Sequence, residues 1–122
     1  MALDITTRSL QGGRKHTAFR ELAAAAGEQQ LVSKDNTLGH QHFLIFAAQL
    51  ACGSGGRINV FDGSAGAVPL LGLSNGDTSI SATALTWDFR GNPLDCTNID
   101  GTSLCVSAVG RVQGFIQWGW GS

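Results

Sequence analysis

The feature that most constrains this chain is the way glycine cuts its apolar sequence into short alternating runs. Of 17 glycines, all but Gly12, Gly13, Gly27 and Gly39 follow Cys52. Between them lie runs at residues 57–62, 68–73, 78–89, 103–109 and 112–120. In the last two, apolar residues take every second position: Leu104, Val106 and Ala108, then Val112, Ile116, Trp118 and Trp120. A period of two places one set of side chains on one face of an extended strand. Runs of this kind, separated by turn residues at roughly 8–12-residue spacing, are the signature of a β-sandwich or small barrel. The pattern requires no helix.

The remaining segments fit the same frame. Residues 43–52 are apolar in both alternating sets, which predicts a central strand covered on both faces. Asp62-Gly63 closes the next strand with a hairpin-type turn, and Pro69 pushes residues 68–71 toward an edge. Gly110-Arg111 joins the last two runs as a two-residue link of hairpin size. Residues 19–26 admit two readings. One is a short helix with Thr17 as N-cap and Gly27 just past its end. The other is a strand over 19–25, a turn at 26–28 and a second strand over 29–33. Residues 1–18 have no sustained period, and Gly12-Gly13 interrupts them, so they read as an extended N-terminal arm. The expected architecture is all-β: an antiparallel β-sandwich of jelly-roll type spanning residues 19–122, with about eight strands.

Charge and composition narrow the function. Charged residues make up 14% of the chain, against about 25% in average globular proteins. So little charge suits a surface partly covered by other subunits. The net charge of −1 argues against nucleic acid as a partner. Its distribution is uneven: Arg8, Arg14, Lys15 and Arg20 stand against Asp4 alone in the first 20 residues, a net +3, which leaves −4 for the rest. A basic arm on an acidic body points to an acidic partner surface. No run of 18 apolar residues is present, so no membrane span is expected. The N-terminus lacks the apolar core of a signal peptide, and synthesis in the cytoplasm is the expectation. The cysteines are Cys52, Cys96 and Cys105; an odd count argues against a disulfide framework, while a bridge between Cys96 and Cys105 stays open.

Chemical motifs are sparse. His40 and His42 share one face of a strand, but no third metal ligand is adjacent. Cys52-Gly53-Ser54-Gly55-Gly56 lacks the glycine that a nucleophile elbow needs two residues before its serine, and it lacks the Lys-Ser/Thr of a phosphate loop. Asp95, Asn98 and Asp100 do not match a calcium-loop spacing. Neither catalysis nor a cofactor or metal is expected. Trp87, Trp118 and Trp120 have three readings: packing in the core, a subunit interface, or an aromatic platform for sugar. The chain has no Tyr, which weighs against the sugar platform.

Several segments in order resemble small β-sandwich proteins of tailed bacteriophage virions. They are residues 23–32, 43–52 and 57–63; Leu71-Gly-Leu-Ser-Asn-Gly76; and the closing segments 92–97, 101–108 and 112–118. The likeness covers residues 19–120. It resembles the decoration (cement) and head-fibre proteins of such capsids, which commonly sit as trimers on the outer shell and clamp neighbouring major capsid subunits. The resemblance implies strands in place of a helix at 19–25 and 29–33. It also implies a homotrimer on the outer capsid surface, with the major capsid protein as partner. The basic residues Arg8, Arg14, Lys15 and Arg20 are the candidates for that contact. A receptor-binding or tail-tip module recognising host glycan through the Trp surface is the alternative.

Overall fold

The computed structural model describes residues 3–21, 25–33, 42–63, 68–76, 79, 82–96 and 103–121. They form an all-β structure of two antiparallel sheets. The strands are β1 (Leu3–Ser9), β2 (Lys15–Glu21), β3 (Ala25–Ser33), β4 (His42–Gly53), β5 (Arg57–Asp62), β6 (Val68–Ser74), β7 (Ala82–Asp88), β8 (Leu94–Cys96), β9 (Ser103–Gly110) and β10 (Val112–Gly121). Sheet A runs β1-β2-β10-β4-β7, with β8 also paired to β4 beyond β7. Sheet B runs β3-β9-β5-β6.

Alternation builds the core between the sheets. Sheet A contributes Phe19, Phe43, Ile45, Leu50, Ile116 and Trp118; sheet B contributes Ile58, Val60, Leu71, Leu104 and Val106. The long β4 sits centrally in sheet A, but the cover on both faces that its two apolar sets predict is not found among the described residues. One set is buried between the sheets, while Leu44, Phe46, Ala47 and Ala51 of the other stay half-buried on the outward side. The strand is also not continuous against β10. The register slips between Gln117 and Trp118, so Ile45 and Ala48 both face inward while Phe46 and Ala47 do not. Gly114 lies beside Phe19 and Leu50 in register. A Cβ there would collide with the Gln49 carbonyl and come 3.0 Å from the Phe19 ring, so the phenyl group fills the space that glycine leaves.

The first 18 residues differ from expectation. β1 and β2 pair over Leu3↔Glu21 to Ser9↔Lys15 and form the edge hairpin of sheet A, so they are not a separate arm. The boundary expected after residue 18 falls inside β2. The inward set here is Leu3, Ile5, Thr7, Thr17 and Phe19, and two threonines hide its period. Thr17 is fully buried because its hydroxyl is satisfied: Oγ1 accepts the Trp118 indole N–H at 3.0 Å and lies 2.9 Å from Thr7 Oγ1.

Two connections also differ. β2 and β3 lie in different sheets, and Gly27 belongs to β3, so no turn sits at 26–28. The Gly110-Arg111 link joins β9 in sheet B to β10 in sheet A and is therefore a crossover, not a hairpin. Gly110 takes φ +79°, a conformation that favours glycine, and a Cβ on it would meet the Gly56 Cα at 3.1 Å. The 53–56 turn is held against this crossover by Gly53 N–H donating to the Arg111 carbonyl at 2.9 Å. By contrast, β5 and β6 do form the hairpin expected around Asp62-Gly63.

Candidate functional site

The outward positions of sheet A combine charged, amide and aromatic side chains. Register places Asp4, Thr6 and Arg8 of β1 beside Arg20, Ala18 and His16 of β2. The next row, from β10, is Gln113, Phe115 and Gln117, followed by Ala51, Gln49 and Ala47 of β4. Small side chains at Ala18 and Ala51 leave a shallow depression of about 370 Å³, walled by Phe115, His16, Gln49, Gln113, Asp4 and Arg20. The His16 imidazole stacks on Phe115 with centroids 5.0 Å apart and planes 24° from parallel. Its Nδ1 lies 3.4 Å from the Gln117 amide nitrogen. Burial lowers the His16 pKa below the ordinary 6.5, and the charge on Arg8 adds to that shift. The ring is therefore neutral at pH 7, and Nδ1 can accept from the Gln117 N–H.

The four basic candidates all belong to the β1–β2 hairpin. Arg8 is exposed on β1, opposite His16. Arg14 holds its guanidinium 4.1 Å over the Phe46 ring. Lys15 Nζ donates to Ser9 Oγ at 2.9 Å. These three cluster at the turn, where Leu10 N–H donates to the Arg14 carbonyl at 2.7 Å. Arg20 stands apart at the other end of the hairpin, 3.4 Å from Asp4 in an exposed pair.

The three tryptophans lie on the core-facing side of sheet A. Trp118 is 3% exposed and faces the core. Its ring meets Phe43 edge-on at 5.3 Å, and Trp120 stacks on Phe43 at 4.7 Å. Trp87 lies across β4, opposite Ala48, and packs half-buried against the core. A sugar platform built from Trp118 and Trp120 is thereby overturned, because both rings point between the sheets.

The remaining chemical candidates fall out separately. His40, Asn98 and Asp100 lie outside the described residues, and of His42 only the backbone in β4 is described. Among the described residues no group of three His, Cys, Asp or Glu side chains is placed to hold a metal ion. Cys52, Cys96 and Cys105 are free, buried thiols. Cys96 belongs to the inter-sheet core, whereas Cys105 alternates with Leu104 and Val106 and lies outside that core, 3.2 Å from Ser103 Oγ. A bridge between them would have to cross the body of sheet B. Burial, reinforced by Asp62 and Asp95, pushes the Cys96 thiol up to about 12, so it is not a nucleophile at neutral pH.

Sequence reasoning missed the His16–Phe115 pair. The two residues come together only through β2–β10 pairing. The available signal was Gln113-x-Phe115-x-Gln117, where an aromatic residue interrupts a polar set. No family model matches this chain, and no curated protein matches it in sequence.

Proposed function

We propose that this chain is a structural virion protein of the decoration (cement) kind, which binds the outer surface of the major capsid shell and stabilises it. The observation that carries the reading is the turn of the β1–β2 hairpin. It gathers Arg8, Arg14 and Lys15 at one edge of a sandwich whose residues beyond 20 carry a net −4. The edge of a folded sheet presents these charges with less ordering cost than a loose arm would, and it suits an acidic shell surface. A protein that binds only the assembled shell stabilises it by mass action. Several linked copies gain avidity without new chemistry; three is the number the resemblance implies.

The sheet orders support the jelly-roll part of the reading. Without β1 and β8, the pair β2-β10-β4-β7 and β3-β9-β5-β6 has the order of two interlocked Greek keys. Among these eight strands only β5 and β6 pair with a sequence neighbour, and each other consecutive step changes sheet.

Deleting residues 1–17 is no test, because it removes β1 and the Thr17 hydroxyl that partners Trp118. The test is the triple variant Arg8→Glu, Arg14→Glu, Lys15→Glu. Co-sedimentation with assembled capsid shells should fall at least about tenfold, with an unchanged circular-dichroism spectrum. Wild-type binding should weaken as salt rises. Full binding by the folded variant would remove the hairpin from the contact.

Host-glycan adhesion keeps one specific support, the depression walled by Phe115 and His16 together with the amides of Gln49 and Gln113. Glycan-array binding that disappears in Phe115→Ala, with shell binding unchanged, would favour it.

A further inference from the structure

Among the described residues five strands border the edges of the two sheets, and four of them carry features that discourage pairing with another chain. β1 bears Asp4 and Arg8. β3 bears Glu28 and a register slip between Gln30 and Val32. β6 contains Pro69 and lies beside a slip at Val60/Phe61. β8 is three residues long. β7 differs. From Ala82 to Trp87 it has no charge, no proline, no glycine and no slip against β4. Its one charge, Asp88, is held by Arg90 of the same chain at 2.8 Å.

Hydrogen-bond parity fixes which groups β7 offers. Phe89 N–H donates to the Phe46 carbonyl at 2.7 Å, and the register continues from Ala47↔Asp88 to Gly53↔Ala82. The backbones of Thr83, Leu85 and Trp87 therefore turn toward β4. Those of Ala82, Ala84, Thr86 and Asp88 turn outward, and among the described residues no strand pairs with them. The side chains add an apolar contribution. Leu85 sits opposite Leu50 on the core-facing side, yet it is 45% exposed, because sheet B does not extend over it.

We propose that β7 pairs antiparallel with β7 of a second copy across a two-fold axis, joining the two A sheets into one. The outward backbone groups must face each other, and of the registers that allow this we take the one with Ala84 opposite Thr86 and Ala82 opposite Asp88. That register uses all seven residues and sets Leu85 against its own counterpart. Thr83 then faces Trp87. No two like charges meet, since Asp88 faces Ala82. The contact does not depend on the shell-binding reading, and it sets two copies against the three that the resemblance implies. Being isologous, it closes at two copies, whereas three copies would need a head-to-tail contact.

Leu85→Cys tests the register. Leu85 and its counterpart would form a non-hydrogen-bonded pair with Cα atoms about 4.5 Å apart, within disulfide reach. The native thiols are buried and give little background. Mild oxidation of the full-length Leu85→Cys protein should yield a disulfide-linked dimer on a non-reducing gel. Thr86→Cys, facing Ala84, should stay unlinked. Ala84→Pro removes an outward N–H that β4 does not use, so it should fold normally by circular dichroism and show monomer mass where the wild type shows a dimer. A wild-type mass of one or three chains, or a Leu85→Cys protein that remains unlinked, would overturn the proposal.

Discussion

On their core-facing sides the two edges of sheet A carry similar residue types, yet these end up in different surroundings. At the β1–β2 edge, Thr17 and Phe19 are buried, and Leu3 N–H reaches across to Gln29 Oε1 of β3 at 3.0 Å. At the β7 edge, Leu85 has the same core-facing parity and stays 45% exposed. Sheet A is five strands wide and sheet B four. Burial at a strand position thus follows from what the opposite layer places over it, more than from the residue's own hydrophobicity. A threonine with a hydrogen-bond partner is buried at one edge while a leucine is left open at the other. The charged edge is suited to an acidic surface, and the uncharged edge to another strand.

The comparison can be broken most sharply with the tryptophans. Trp118→Ala should cost about 3–5 kcal/mol of unfolding free energy, because it opens a cavity beside Phe43 and removes the donor to Thr17. Trp87→Ala, on the half-covered side, should cost no more than about 2 kcal/mol. Equal losses in chemical denaturation would mean that the β7 side is as well packed as the β2 side. A smaller effect is expected from Thr17→Val, which keeps the shape and leaves the buried indole N–H without its acceptor. About 1–3 kcal/mol should be lost, and an undiminished stability would show that the Thr7–Thr17–Trp118 chain contributes nothing to that edge.

The smallest effect concerns pH. The folded protein holds the His16 pKa below the unfolded 6.5, so the unfolded state binds the proton first. The contribution of His16 is therefore fully present above about pH 6.5 and is lost as pH falls from there through the lowered value. The midpoint of urea unfolding should decline over that window, and His16→Gln should flatten the decline. An identical pH profile in the variant would assign the slope to other groups.

Much of the fold was legible from local chemistry. The alternation in β9 and β10, the central place of β4 and the hairpin at Asp62-Gly63 each follow from residues close in the chain. The N-terminal hairpin was not legible, because Thr7 and Thr17 look polar until their hydroxyls find each other and the Trp118 indole. The crossover at Gly110-Arg111 was misread for a related reason: a two-residue link fits a hairpin and a change of sheet equally well, and only packing against the 53–56 turn selects one. The tryptophans of β10 were correctly placed on a common face, but periodicity does not say whether a face looks inward or outward. The His16–Phe115 pair could not be read at all, since it depends on which strand lies beside β2.

The sequence by itself determined that this protein is extended, layered and weakly charged, because side-chain alternation and glycine turns act over a few residues at a time. Tertiary structure decided which layer covers which position. That choice made the first 18 residues part of a sheet, buried Thr17 and left the rim at Leu85 uncovered. Such outcomes depend on contacts between segments far apart in the chain, where no local preference reaches.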